Sequence, residues 1–336
     1  MPQPVRANYR LGALLAAATA VLLSVQEPLS FLAAKRLNFE QFILVTQISL
    51  LVSVPLLIAQ PKSRRDFVAI FATPSMYPKL AAIFALGIAG LMLYKLGLTG
   101  AHPIIIAAIF NLSPFWAAMV ARVLSGAPVP LGPPAFFGCL FAAFFGAMAV
   151  AWSQLNPHEG DMLESFLRGS WVFAIPIPLL SALNGTLIGR WFSRYEESAA
   201  IAVNFVAPAA VLIPVLVYIL ASRGELALAQ APAILLMMLG TIVAASIGRV
   251  FYQVALTATG GDNGYVTMFF LAVPALTGLV SLPLAWAIPD LGFRINAIYL
   301  TGLALIAGSL AFFTFKSWRE EQRAGAGERK AAGAAL

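Results

Sequence analysis

Ten long apolar stretches are the feature that most limits what this chain can fold into. A helix that crosses a bilayer needs about 20 consecutive apolar residues. Only helices and closed barrels satisfy the backbone in lipid, so stretches of this length predict helices. The ten predicted transmembrane helices cover residues 11–34, 42–59, 78–97, 103–124, 134–153, 168–190, 199–221, 232–256, 264–287 and 296–316.

Charged residues are scarce, which supports a membrane protein. They make up 10% of the chain and hydrophobic residues make up 60%, whereas a soluble domain carries about 25% charge. Most basic residues lie between the apolar stretches or near their ends, so the net charge of +7 does not indicate a nucleic-acid partner. We therefore expect the partners to be the lipid bilayer and a small-molecule substrate.

The distribution of lysine and arginine predicts the orientation in the membrane. If both termini face the cytoplasm, the cytoplasmic segments carry 14 of these residues and the outward-facing segments carry 6. Positively charged residues accumulate in cytoplasmic loops. We predict a multi-pass protein of the inner or plasma membrane with both termini in the cytoplasm.

A weak internal repeat divides the chain into two halves. Tyr94 in LYKLGLT matches Tyr252 in VFYQVALT, 158 positions later, and Pro114 in FNLSPFW matches Pro274 in FLAVPALT, 160 positions later. Each half holds five predicted spans, and an odd number reverses the orientation of the second half. Such inverted repeats are a recurring plan of secondary transporters.

These observations predict an all-α polytopic membrane protein. Its ten transmembrane helices form two inverted five-helix repeats, and a disordered cytoplasmic tail follows them. The predicted boundaries are residues 1–155 for the first repeat, 165–316 for the second and 317–336 for the tail.

The stretch GLTGAHPIIIAAIFNLSPFWAAMVARVL, residues 97–124, resembles the drug/metabolite transporter superfamily, EamA-like type. It has that family's short loop, helix of small and apolar residues, mid-helix proline and basic residue near the cytoplasmic end. The resemblance extends over about residues 11–316. It implies two EamA-like repeats in a plasma-membrane exporter of amino acids or related metabolites. The chain departs from the family after the fourth span, where an acidic residue is frequent and Leu124-Ser125-Gly126-Ala127-Pro128 stands here.

Glu27, in SVQEPLS, lies deep in the first predicted span. A charged side chain at the bilayer centre costs about 2.5–3.5 kcal/mol on insertion scales, so such residues usually have a function. Glu27 either lines a central cavity as a ligand or proton site, or reaches the outer membrane boundary. Pro28 favours the cavity, because it removes one helical hydrogen bond and frees the carbonyl of Ser24.

Arg249, in TIVAASIGRVFYQVAL, lies inside the eighth predicted span and needs a carboxylate, a carbonyl or an anionic substrate nearby. Glu27 is the only acid deep in a span. We therefore predict a Glu27–Arg249 pair across the repeat interface, which opens to hold a zwitterion. The alternatives are that Arg249 bonds helix carbonyls, extends to the membrane surface, or binds a small organic anion alone.

Further candidates for substrate binding are polar residues of the predicted spans. Three- and four-residue spacings place Tyr252 and Gln253 on the same helical face as Arg249, and Tyr94, Asn111 and Asn184 lie in other spans. The two asparagines either line the cavity or join helices by hydrogen bonds. Pro28, Pro114 and Pro274 are candidate hinges, and a static bend is the alternative reading of each.

The sequence lacks the motifs of several other protein classes. It contains no G-x-x-x-x-G-K-[ST] loop, no H-E-x-x-H and no G-x-S-x-G. With two histidines, it predicts no histidine metal cluster. We expect no cofactor, no metal and no enzymatic activity. An intramembrane enzyme, a channel and a non-transporting membrane subunit stay open, and Gly138, Ala142 and Gly146 are spaced for helix contact in a monomer or homodimer.

Overall fold

The computed structural model describes residues 9–101, 103–110, 112–125, 133–154, 169–225, 231–258, 269–287, 289, 292 and 295–334. These residues form helices, and no β-strand occurs among them. The α-helices in this part of the chain are α1 (Tyr9–Arg36), α2 (Phe39–Leu57), α3 (Pro61–Ala72), α4 (Tyr77–Gly100), α5 (Pro103–Phe110), α6 (Ser113–Ser125), α7 (Pro133–Ser153), α8 (Pro176–Trp191), α9 (Glu197–Ser222), α10 (Ala231–Ile242), α11 (Arg249–Ala258), α12 (Val273–Ala287) and α13 (Ala297–Ala334).

Seven helical segments are long and apolar enough to cross a membrane by length and composition. This agrees with the predicted multi-pass protein. The seven are Arg10–Arg36, Phe39–Leu57, Pro74–Thr99, Pro103–Leu124, Pro134–Ser153, Ser170–Trp191 and Glu197–Ser222. The last three predicted spans correspond to the shorter apolar helices Ala231–Ile242, Val273–Trp286 and Ala297–Phe313.

The C-terminal prediction is wrong for the residues that are described. The sequence predicts a disordered tail over residues 317–336, but α13 continues from Ala297 to Ala334. The segment after Lys316 is rich in alanine, glutamate and arginine, which are strong helix formers, and it extends a helix that already exists.

Pro114 and Pro274, where the sequence predicts kinks, each lie at the start of an α-helix. The fourth span consists of α5 and α6, and Pro114 is the second residue of α6. The ninth has a 3-10 turn, Phe269–Ala272, followed by α12, in which Pro274 is the second residue. Proline is favoured in the first turn because its missing N–H has no partner there in any case. Both prolines therefore start a new helix segment instead of bending a continuous one.

The helices run between two faces of the bundle. One face of the bundle holds the start of α1 and the end of α2, and we call it the terminal face. The other is the opposite face. The helices α2 and α9 pack along their length, and polar contacts tie the two ends of α9 to α2 on one face and to α3 on the other. On the opposite face Arg223 Nη1 donates to Glu40 Oε1 at 2.9 Å. On the terminal face Glu196 accepts a bond from Lys62 and raises the pKa of that lysine.

The helices α7 and α13 approach each other closely at two glycines. A Cβ on Gly146 would lie 2.6 Å from the carbonyl oxygen of Gly302, and one on Gly302 would lie 2.7 Å from the carbonyl oxygen of Gly146. Small residues allow backbones to approach this closely in membrane bundles. Gly146 therefore serves a contact within the chain, whereas Gly138 has no atom within 4 Å of its Cβ position.

Candidate functional site

Glu27 lies inside α1, and its carboxylate is buried with 8% of the residue exposed. It stands nine residues before the end of α1, which is about 13 Å along the axis from the opposite face. The Tyr94 hydroxyl donates a hydrogen bond to Glu27 Oε2 at 3.0 Å. Two of the predicted site residues, one on α1 and one on α4, are therefore in direct contact.

Two phenylalanine rings hold the Tyr94 side chain in place. Its ring centroid is 5.8 Å from that of Phe110 at the end of α5 and 6.3 Å from that of Phe42 on α2. Tyr94 itself is 7% exposed. The phenol is thus packed among three helices and has little freedom to turn away from Glu27.

Lys95, next to Tyr94, is also buried, and it does not bind Glu27. Its ammonium donates to the carbonyl oxygens of Ala34 and Leu37, the latter at 3.0 Å. Its Nζ lies 5.0 Å from the centre of the Phe42 ring. A lysine at this position satisfies the free carbonyls at the end of α1 and complements the negative end of the helix dipole.

Lys95→Met is expected to destabilise the protein by about 2 kcal/mol, because the two carbonyls lose a charged donor while they stay buried. The measurement is the thermal unfolding temperature of the purified protein in detergent. Lys79→Met is the matched control, since Lys79 begins the same helix and makes no hydrogen bond to any described residue. An equal effect of both substitutions would contradict the capping role of Lys95.

Arg249 is the first residue of α11, and its side chain is exposed although it lies within a predicted span. A π-helical segment, Val243–Gly248, precedes it directly. Its guanidinium carbon stands 5.9 Å from the centre of the buried Phe205 ring on α9. Because α11 packs mainly on α1 and α9 packs mainly on α2, this side chain reaches across the space between two helix pairs.

The predicted Glu27–Arg249 ion pair is wrong for this structure. Along α1, a Cβ on Gly240 would lie 3.1 Å from Leu29 Cβ, and Thr19 Oγ1 donates to the Gly248 carbonyl at 3.3 Å. These contacts place Gly240 at the level of Glu27. Arg249 follows Gly240 by nine residues, toward the terminal face. Nine residues of helix correspond to about 13 Å, so the two side chains lie at different depths.

Tyr252 lies one turn beyond Arg249 and faces the first helix. It packs with Leu15, Ala16 and Ala255, and its ring centroid is 5.7 Å from that of Phe270. Tyr252 and Arg249 therefore lie in the half of the bundle near the terminal face. Glu27 and Tyr94 lie in the half near the opposite face.

The remaining predicted residues have separate positions. Asn184 Nδ2 donates to Asn204 Oδ1 at 3.0 Å and so joins α8 to α9, which is the helix-joining alternative. Asn111 and the side chain of Gln253 lie outside the described residues. Pro28 is buried inside α1, which continues through it as one helix.

Two kinds of feature were missed from the sequence. The π-helical segment before Arg249 has no clear sequence signal beyond its small residues, although such segments are frequent at functional sites. The hydroxyls of Thr277 and Ser281 on α12 are fully buried without a described hydrogen-bond partner. Their four-residue spacing inside an apolar span was the available signal. Within the described ranges, no three His, Cys, Asp or Glu residues come together.

Comparison with known proteins supports the fold alone. No family model matches the chain, and no curated protein matches it. A crystal structure of a protein matches with a TM-score of 0.59 at 17% sequence identity, covering 92% of this chain and 98% of that one. The helical arrangement is thus similar to a fold that occurs in a solved structure of nearly the same extent.

Proposed function

We propose that this protein is a secondary transporter of the drug/metabolite transporter superfamily, EamA-like type. It exports small metabolites such as amino acids or related zwitterions by alternating access, without a cofactor and without enzymatic activity. It lies in the inner or plasma membrane with both termini in the cytoplasm, as a monomer or a homodimer. The ten-helix plan with two inverted repeats is part of this proposal.

Two aromatic pairs support the repeat. The Tyr94–Phe110 pair has centroids 5.8 Å apart, and the Tyr252–Phe270 pair has centroids 5.7 Å apart. The tyrosines are 158 positions apart and the phenylalanines 160, the same offsets that relate the sequence landmarks. The pairs lie in opposite halves of the bundle, as an inverted repeat requires.

The helix contacts support it as well. The pairs α2–α9, α5–α12 and α7–α13 each join helices that are equivalent in the two proposed repeats. The contact of α1 with α10 and α11 has its counterpart in the contact of α8 with α4. If the two repeats swap conformations, the same set of helix contacts forms again. Alternating access by such a swap requires this symmetry.

The observation that carries the functional proposal is Arg249 inside the predicted eighth span, a residue whose side chain is accessible although its guanidinium lies deep among protein atoms. It makes no ion pair with any acid in the described part of the chain, and an arginine at membrane depth is costly without a partner or water. A substrate carboxylate would supply two acceptor oxygens that match the fork of the guanidinium. We assign the anionic group of the substrate to Arg249.

The position of Glu27 alters the substrate prediction. With about 13 Å between the two levels, Glu27 cannot hold the ammonium of an amino acid whose carboxylate is at Arg249 in this conformation. This favours small organic anions, the second candidate substrate class. Zwitterions fit as well if they bind Arg249 through their carboxylate alone. An intramembrane enzyme is less favoured, because Glu27 and Arg249 do not converge on one reacting position.

Transport into proteoliposomes is the direct test, with a panel of labelled amino acids, dicarboxylates and amines. We expect uptake of carboxylate-bearing compounds and none of the amines. A compound that moves should also exchange with unlabelled compound on the other side of the membrane. If amines alone are transported, the assignment of Arg249 is wrong; if nothing moves in a folded protein, the transporter proposal is wrong.

A further inference from the structure

The charge of Glu27 has no cationic partner among the described residues. Lys95 donates to two carbonyls near the end of α1, and Arg249 lies about 13 Å away along the bundle. A buried carboxylate needs either a counter-charge or a proton in a low-dielectric interior, because its own hydration is lost. Its single hydrogen bond, from Tyr94, is neutral and leaves the net charge unchanged.

Additional oxygen atoms surround the same turn of α1. Pro28 has no N–H, so the carbonyl of Ser24 loses its helical donor. Ser30, one turn after Glu27, is fully buried. Its hydroxyl lies near the Tyr94 phenol, without a well-formed hydrogen bond to any described residue. Both groups offer oxygen lone pairs near the carboxylate.

The facing helix, α12, adds two more oxygens. Thr277 and Ser281 are 0% exposed, and neither hydroxyl has a hydrogen-bond partner in the described part of the chain. Hydroxyls inside helices usually bond the carbonyl four residues earlier, as Thr46 does at 2.7 Å and Thr186 at 2.8 Å. A buried polar group without a partner requires an explanation, and an ion or water is a common one.

The helix faces bring these groups together. Ala20 and Leu23 on α1 pack with Val273 and Leu276 around the start of α12. Glu27 is seven residues after Ala20 and four after Leu23, so it shares their face. Thr277 is four residues after Val273 and shares that face of α12. Because α1 and α12 pack against each other, the two polar sets oppose one another one to two turns farther along.

We propose that Glu27, the Ser24 carbonyl and the hydroxyls of Thr277 and Ser281 form a binding site for a sodium ion between α1 and α12. Oxygen donors are the ligands of hard cations. A single carboxylate neutralises a monovalent ion, whereas a divalent ion would leave excess charge in the membrane interior. A proton on Glu27 alone would also neutralise it, but it would leave the hydroxyls of α12 without partners. The site does not depend on the proposed function, because ion binding is measured without transport.

The test uses the purified full-length protein in detergent at fixed pH and ionic strength. Thermal unfolding is followed while sodium chloride replaces choline chloride, and potassium chloride serves as the ion-size control. We expect sodium to raise the unfolding temperature in a saturable way, since a ligand of the native state stabilises it by mass action. Thr277→Val, which keeps the shape and removes one ligand, should raise the half-saturating sodium concentration about tenfold.

Matched variants separate the site from general effects of salt. Thr186→Val removes a membrane hydroxyl that bonds the Ala182 carbonyl, and it should keep the wild-type sodium response. Glu27→Gln should abolish the response. The proposal is overturned if sodium and choline act equally on the wild type, or if the response survives in Glu27→Gln. It is also overturned if lowering the pH stabilises the protein while sodium has no effect, which is the outcome for a proton site.

Discussion

Gly146→Val is expected to prevent stable folding, with a loss of about 3 kcal/mol or more. The new side chain would begin 2.6 Å from the Gly302 carbonyl oxygen and 3.0 Å from the Ile306 nitrogen, and neither backbone atom can move without moving α13. Overpacking a core typically costs about 1–3 kcal/mol, and here the obstacle is a whole helix. Size-exclusion chromatography and thermal unfolding in detergent measure the result, and Gly302→Val should behave in the same way.

Two glycines on the same helices provide the controls. Among the described residues, no neighbouring atom lies within 4 Å of the Cβ position of Gly138 on α7 or of Gly308 on α13. Valine at these positions should leave the folded protein at nearly wild-type yield, because both positions are exposed and valine has a higher helix propensity than glycine. If Gly138→Val is as harmful as Gly146→Val, Gly138 packs against a second copy of the chain, and the α7–α13 contact is not the sole cause.

The helices were predictable from the sequence because hydropathy alone determines which segments enter the bilayer. The spans that begin near Tyr9, Phe39 and Tyr77 appear close to their predicted positions. The sequence predicts Tyr94 as a site residue because it is a polar aromatic residue in an apolar span, and Tyr94 contacts Glu27 in the structure. Such residues are costly at membrane depth and are therefore reliable markers of internal contacts.

The sequence could not show whether Glu27 and Arg249 lie at the same depth. It gives the position of a residue along its own helix but not the offset between two helices. That offset is determined by the packing of Gly240 against Leu29 and by the bond from Thr19 to Gly248. The start of an α-helix at Pro114 and at Pro274 was also not predictable, since proline inside an apolar stretch indicates a kink and a new helix start equally well.

Arg249→Gln is expected to reduce transport by about 30-fold or more while the protein stays folded. A bound substrate carboxylate would cover the guanidinium, and removing one partner of such a covered charge pair costs about 2–5 kcal/mol. Each 1.4 kcal/mol corresponds to about a tenfold change in affinity. Initial rates in proteoliposomes over a range of substrate concentrations measure the effect. Arg64→Gln is the matched control, because Arg64 is exposed on α3, outside the seven apolar spans, and should transport like the wild type.

Arg249→Lys separates two ways in which the guanidinium can act. Lysine keeps the positive charge but presents a point donor in place of a planar fork. If the substrate carboxylate binds through two parallel hydrogen bonds, the lysine variant should show a raised KM with a largely retained maximal rate. If the charge alone attracts the anion, the variant should resemble the wild type. Wild-type transport by Arg249→Gln would mean that the guanidinium faces away from the substrate path. In that case the stacking on Phe205 would be its main role, and the anion-binding group would have to lie on another helix.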